Sequence, residues 1–516
     1  MASADRPAPD PRSGQRRSRA LEVERRSIDY VPLAERHGRV WQQGLFWFLG
    51  NFQFFTVALG FVGIGLGLSV LETAVAGGLG ILFGTLFMAF HATQGPHLGL
   101  PQMIQSRAQL GYSGVVVALA GSFATYMLFN VVDVLLLGGG LGGIFGWDIT
   151  LVGIAVTVAA AALAIYGHDL LHRAFQVLFV LSVPVYAALT LAIVFGALDA
   201  APAAPPADGA GWPELLAMFT LGTAYNITYA PYVSDYSRYL PRTTRTAPLV
   251  LAVFVGASAS AIWLIALGAW LASSLGASDA LVGLNEAGGR LAPWLGAALV
   301  LLSVAAGVAT MGINAYGAML SAITAIDSIR RVRATRGLRV ATIAALAVAW
   351  CVAALAIGGD ALGAAFNALV VMLFLLVPWT AINLVDYFFV RRGRYAILDL
   401  FDPSGIYGRW GRRGLLAFVA GLVSMAPFFV VPGVYAGPAA TGLGGADISS
   451  LVGLSVAGGT YYLLTRSLDV AAERPAIEAS RRALEVGAAG TGATDGGGQV
   501  WLEASGRDRQ GVTSEP

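Results

Sequence analysis

Residues 46–60 read FWFLGNFQFFTVALG, an apolar run interrupted by Asn51 and Gln53 beside Gly50, with Thr56 and Gly60 following. A second stretch, FTLGTAYNITYAPY at 219–232, repeats the theme with Gly222, Asn226, Thr228 and Pro231 inside otherwise apolar sequence. Amides and hydroxyls are expensive in hydrocarbon, so they face a bundle interior or a pathway. Paired interruptions at matching places in two halves of a chain mark a midplane site between inverted repeats, where freed backbone groups meet substrate and ion. These two stretches therefore decide the fold class.

Working outward, a ruler of about 20 apolar residues per crossing predicts twelve spans: 45–70, 73–91, 115–138, 149–166, 171–196, 212–232, 247–273, 293–323, 338–357, 363–390, 414–435 and 448–465. The interrupted spans are the first and the sixth, five apart. The reading is an all-α integral membrane protein with two five-helix repeats of opposite orientation, about 41–198 and 210–392, within a ten-helix core at 41–392. Helices eleven and twelve follow at 393–467. Residues 1–40 are expected to form a retained cytoplasmic tail without the apolar core of a signal peptide, and 468–516 a tail that is a weak helix and then disordered.

Composition agrees: 56% of the 516 residues are hydrophobic and 12% charged, about half the charge of a soluble domain, which excludes a water-soluble globule. All basic residues are Arg. They fall in the N-terminal tail and after the even-numbered spans, at Arg107, Arg173, Arg238 to Arg245, Arg330 to Arg339 and Arg391 to Arg413, with Arg290 the exception. Basic residues in short loops stay inside, so both termini are expected in the cytoplasm and the chain in an inner or plasma membrane. The charges form no basic face for nucleic acid. Cys351 is alone, which excludes an intramolecular disulfide.

Two apparent motifs have bland readings. Gly138, Gly140 and Gly143 spell GxGxxG without a preceding strand, so a glycine-rich turn is expected rather than a dinucleotide site. His168 and His172 are spaced i, i+4 but lack the Glu of a zinc protease, and no metal is expected. No Walker sequence supplies an ATP engine, so a carrier here runs on an ion gradient without a cofactor. A membrane-embedded enzyme needs a nucleophile–base pair or metal cluster within the spans, and the His residues fall at or outside their edges. A channel or receptor of the same topology is the other alternative.

The third span places Tyr126 and Asn130 on one face with Asp133 a turn further out, and the eighth offers Thr310 and Asn314 at the same spacing. A ring that stacks and an amide that donates and accepts suit a flat heterocycle; packing and interhelical hydrogen bonding are the alternatives. Asp133 is either a buried proton-linked carboxylate or a solvated one near the outer surface. Asp235 and Arg238, one turn apart, are either an inner gate whose ion pair favours one access state or a solvated turn. The loop before the third span is expected to lie along the inner face, with Arg107 snorkelling.

Five strings resemble the nucleobase-cation-symport family of purine, cytosine, allantoin and hydantoin permeases: FWFLGNFQ at 46–53, GLPQMIQSRAQLGYSG at 99–114, Tyr126 with Asn130, YAPYVSDYSRYLPR at 229–242 and INAYG at 313–317. The resemblance spans helices one to ten in order. It implies a LeuT-like fold with alternating access and a heterocycle held between aromatics of helices three and six and by amides of helices three and eight. Carried onto this chain, those are Tyr126, Tyr229, Asn130 and Asn314, with Tyr225 and Asn226 as alternatives in helix six and Gln53, Thr228 and Thr310 nearby. Both aromatic positions are Tyr where the family commonly has Trp. Sodium-driven relatives carry hydroxyls where this chain has Val308 and Ala309, leaving carbonyls of Gly50, Gln53 and Ala305 as a poor sodium site. The resemblance thus implies cation coupling, and the missing hydroxyls favour H+ over Na+, with Asp133 as the candidate carboxylate.

Overall fold

The computed structural model describes Glu24 and residues 26–198, 200–201, 205–207, 210–357 and 361–490. The rest of the two expected tails, including the stretch expected to be disordered, lies outside the described residues.

Helices occupy all twelve expected places. The first span is broken: α1 (Val40–Asn51) and α2 (Phe54–Gly65) are bent by 52° about Phe52 and Gln53. Phe52 and Gln53 leave helical geometry, with Gln53 extended at φ −143° and ψ 163°. Then follow α3 (Val70–His91), α4 (Val116–Phe145), α5 (Ile149–Tyr166) and α6 (His168–Val194). The sixth span is again split, into α7 (Trp212–Ile227) and α8 (Ala230–Ser237). Pro231, early in α8, has no N–H to donate to the carbonyl of Ile227, and a helix weakens where that bond is missing. The second half continues with α9 (Thr246–Ser274), α10 (Ala280–Leu291), α11 (Pro293–Ile329), α12 (Arg336–Ala356) and α13 (Ala361–Val385). After these come α14 (Arg412–Met425), α15 (Ser449–Thr465) and α16 (Arg474–Gly490).

By length and composition, 8 described helices can cross a membrane, or 9 with the bent α1–α2 pair counted as one span. The other three expected spans are helical but shorter: α7 has 16 residues, α14 14 and α15 17. The eleventh span does not run to 435. It stops at Met425, Pro427 follows, and the chain turns through a small hairpin pairing Val430–Val431 with Tyr435–Ala436. The expected glycine turn is also corrected: Gly138, Gly140 and Gly143 lie inside α4. There they permit close packing, since a Cβ on Gly140 would meet Leu281 of α10 at 2.6 Å. Arg290, the outlier in the charge pattern, sits on α10 and pairs with Glu286 at 2.6 Å.

Two groups of helices pack most extensively within themselves: α1, α2, α3, α7 and α9 form one, and α4, α5, α11 and α12 the other. α6 and α13 flank them, and α14 and α15 pack on α13. Outward-facing aliphatics such as Leu71, Leu79, Val158 and Val180 are exposed, as a lipid-facing surface requires.

The loop between α3 and α4 departs from expectation. It folds into short helical turns at Gln94–Leu98, Gln102–Gln105 and Arg107–Leu110. Arg107 does not snorkel: it is fully buried, 2.8 Å from Asp327 at the end of α11, and also donates to Ser328 and to the carbonyl of Leu400. Nor is the described part of the N-terminal segment detached. Val31 donates to the Gly99 carbonyl at 2.9 Å, and Arg238 donates to that of Ser27 at 2.7 Å.

Candidate substrate and ion site

Both helix breaks bring their polar residues to one buried region. Gln53 donates to the Tyr225 hydroxyl at 3.3 Å, and Thr56 shares a hydrogen bond with that hydroxyl at 2.7 Å. Tyr229, in the second break, donates to the carbonyl of Gly50 at 3.2 Å. The two interrupted spans are tied more rigidly by amides: Asn51 donates to Asn226 at 2.8 Å and to the Ala257 carbonyl at 3.0 Å, while Asn226 donates to Thr85. Asn226 is thereby committed to holding helices together. Thr228 and Thr310 bond back to their own helices, at the carbonyls of Tyr225 and Ala306.

The amides of α4 and α11 do meet. Asn314 donates to Asn130 at 3.0 Å, and Tyr232 donates to Asn314 at 2.8 Å. Tyr126 and Tyr229 are not a facing pair, because Tyr232 stands between them, 4.3 Å edge-on from Tyr126 and 5.1 Å from Tyr229, centroid to centroid. Gly317 makes room for Tyr126; a Cβ there would approach its ring to 2.8 Å. Tyr229 instead lies nearly parallel to Phe129 at 5.9 Å, and Tyr225 nearly parallel to Phe55 at 5.7 Å. Phe55, Phe129 and Tyr232 were not singled out by the sequence reading. The spacing of Phe129 and Tyr232 beside Asn130 and Tyr229 carries a signal, but among 25 Phe and 17 Tyr it does not stand out.

Polar atoms in this region without a protein partner include both carboxylate oxygens of Asp133, Oε1 of Gln53, Nδ2 of Asn130 and Oδ1 of Asn51. Asp133 is 0% exposed, which removes the solvated alternative. The titratable groups close enough to feel its charge are Tyr225, Tyr229 and Tyr232, and among the described residues no cation pairs with it. An isolated ionised carboxylate is very costly in such surroundings, so a proton, a cation or a hydrogen-bond donor must accompany it.

The candidate sodium oxygens are less well gathered. The Gly50 carbonyl already accepts from Tyr229. Ala305 is exposed on the side of α11 opposite Gly307, whose Cα faces Phe54 of α2. Its side of the helix is turned away from the break. Val308 is half-buried and Ala309 buried, and neither has a side-chain oxygen.

At the arginine-rich end, Asp235 and Arg238 are both buried, which rules out a solvated turn, but among the described residues no ion pair joins them. Asp235 accepts from the backbone N–H of Gln102 at 2.9 Å. Arg238 turns to Tyr316 at 2.8 Å and to Glu24 at 3.6 Å. His168 and His172 are neighbours, ring centroids 4.4 Å apart. His168 and His37 both approach Asp169, at 2.9 and 3.4 Å. Their ligating atoms lie within 4.8 Å of one another, an arrangement accounted for by a carboxylate bridging two imidazoles.

Known proteins share this fold. The model of a family described as permease for cytosine/purines, uracil, thiamine, allantoin matches residues 30–453. A Bacillus subtilis (strain 168) protein that carries the name of a purine-cytosine permease is 33% identical over 453 residues, covering 86% of this chain and 96% of its own. Among solved structures, Mhp1, a nucleobase-cation-symport-1 family transporter in a closed conformation with bromovinylhydantoin bound, aligns with a TM-score of 0.67 at 15% identity over 89% of this chain and all of its own. A sodium-coupled sialic acid symporter aligns at 0.58 and 10% identity over 83% and 90%. These likenesses give the LeuT-like fold, and the family makes the protein a multi-pass membrane transporter rather than an enzyme. The chain belongs to the family of permeases for cytosine, purines and related compounds.

Proposed function

We propose that the protein imports a planar nitrogen heterocycle of the nucleobase type in symport with protons, by alternating access around the region where the two helix breaks meet α4 and α11. The observation that carries this reading is the group of open polar atoms, Asp133 Oδ1 and Oδ2, Gln53 Oε1 and Asn130 Nδ2, in a region otherwise walled by Phe55, Phe129, Tyr225, Tyr229 and Tyr232. Buried polar atoms are nearly always paired. Those left open among aromatic faces suit a ligand that is flat, stacks, and carries donors and acceptors on its edge.

In this reading Asn130 donates to a ring nitrogen or carbonyl, Gln53 accepts from a ring or exocyclic N–H, and Asn314 orients Asn130. Tyr225 and Tyr229 contribute ring faces, and Tyr126 supports them through Tyr232. Asp133 takes the coupling proton: when protonated it offers an O–H and a carbonyl together, matching a substrate edge that pairs an acceptor with a donor. The arginine-rich ends face the cytoplasm, by the distribution of basic residues.

The test is uptake of radiolabelled bases into proteoliposomes under separate proton and sodium gradients, with purines, cytosine, uracil, allantoin and hydantoins as competitors. Accumulation driven by the proton gradient without sodium is the expected result. Strict sodium dependence replaces the coupling ion, and failure to bind or accumulate any such compound removes the substrate class.

A further inference from the structure

One of the densely bonded carboxylates at the arginine-rich end belongs to Glu24, ahead of the first span. One of its oxygens accepts from the hydroxyls of Tyr239 and of Tyr316, the latter at 2.9 Å, and lies 3.6 Å from Arg238. The other accepts from Arg339 and from the backbone N–H of His168, each at 3.1 Å. Its side chain is only 10% exposed. Burial by itself would raise this carboxyl's pKa, but Arg339, Arg238 and His168 hold it below the ordinary carboxylate value, so it stays ionised.

The partners sit on different moving parts. Arg238 and Tyr239 follow α8, the inner half of the sixth span; Tyr316 is on α11 and Arg339 on α12, in the other helix group; His168 begins α6. Arg339 also donates to the carbonyls of Arg26 and Ala164, and lies 5.0 Å over the Tyr316 ring. Room for the carboxylate is built in. Gly167 has φ +84°, and a Cβ there would come within 2.1 Å of the Glu24 oxygen and 2.5 Å of Arg339.

We propose that Glu24 is a latch for the inner side of the carrier, a single carboxylate that fastens α8 to α11, α12 and α6 and must let go before the two helix groups part on the arginine-rich face. Breaking a buried charged contact by removing one partner leaves the opposite charges uncompensated, so loss of Glu24 shifts the equilibrium toward the state in which Arg238 and Arg339 reach water. Conformations respond to such differential stabilisation and to nothing else.

The test uses the full chain with Cys351→Ser, and spin labels at Thr243→Cys and Arg336→Cys, both exposed positions beyond α8 and at the start of α12. Electron–electron distance measurements should give one short distance in this background. With Glu24→Gln a longer distance should gain about tenfold in population, and half-saturation for substrate offered from the opposite side should rise only in inverse proportion to the remaining short-distance fraction, the form that is competent to receive it. A purely structural role for Glu24 would lower thermal stability and leave the ratio of the two distances unchanged. That outcome overturns the latch. If Glu24→Gln does not fold, Tyr316→Phe removes one donor without a charge, and no shift toward the longer distance in that variant also overturns it. The distance readout is independent of heterocycle and coupling ion, so it separates failure of the latch from failure of the proposed transport function.

Discussion

The buried carboxylates of this carrier's two polar regions, Asp133 at the helix breaks and Glu24, Asp327 and Asp386 at the arginine-rich end, are partnered differently. At the breaks, Asp133, Gln53 and Asn130 keep atoms open although fully enclosed. At the arginine-rich end several acids are fully bonded, although Asp235 has only the Gln102 N–H and Arg107, Arg238 and Arg339 each leave a buried Nε open: Asp386 accepts from Gln109, Tyr395, Tyr461 and Arg391, all at 2.7 to 2.8 Å. Asp327 accepts from Arg107 and Tyr112, and Glu24 from four groups with Arg238 3.6 Å away. Polar groups buried with full partners rigidify, whereas partly satisfied ones are high in free energy until something binds. In the proposed transport function and latch, the contrast is between a region that receives a ligand and one that holds a gate.

The sharpest way to break this comparison is Asp133→Asn, which keeps the shape and removes the titratable proton. Proton-driven accumulation should vanish while substrate exchange across the membrane persists; unaltered accumulation in that variant removes Asp133 from coupling. Next in size is Arg107→Ala. Stranding Asp327 in a buried site should cost about 3–5 kcal/mol, read as a lowered melting temperature with little change in substrate preference.

Asn314→Ala should cost less, about 1–3 kcal/mol of substrate affinity, the usual penalty for an unpaired buried partner, because it frees Asn130 from its orienting bond. Titration calorimetry or competition binding measures this, and undiminished affinity would take the α4–α11 amide pair out of the site. Gly167→Ala combines an unfavourable backbone with a collision against Glu24, about 1–3 kcal/mol for the positive φ with ψ −146° alone, and should reproduce the Glu24→Gln distance change in milder form.

The smallest effect expected is with pH. Because the folded-state pKa of Glu24 is lowered, its contribution is fully present above the ordinary carboxylate value and is lost only as pH falls through the lowered one. Glu24 itself should therefore add no pH dependence to the inner-side distance from pH 8 to about 5. A distance that tracks pH in that window and still does so when His37, His168 and Asp235 are each substituted would merge the two regions into one proton-sensing device.

Asn130 and Asn314 meet, in keeping with the family resemblance that joins amides of helices three and eight; the i, i+4 spacing alone set only Tyr126 beside Asn130 and Thr310 beside Asn314 within their own helices. Asn226 looked equally available, yet Thr85 and Asn51 occupy it. Tyr126 and Tyr229 are both buried aromatics, but the interposed Tyr232 separates them. Arg107 and the ion pair expected between Asp235 and Arg238 came out differently for one reason: the sequence shows a charge near a helix end and is silent on which distant chain segment covers it.

Sequence alone determined the helical membrane fold, the places of the twelve helices and the two interruptions, because hydrocarbon imposes a length, and amides, glycine and proline disturb a helix wherever they fall. Tertiary structure alone decided which polar atoms are spent and which stay open. Glu24 finds Arg339 across 315 positions of chain, and hydrogen bonds, being short and directional, are settled only when packing has brought both partners within reach.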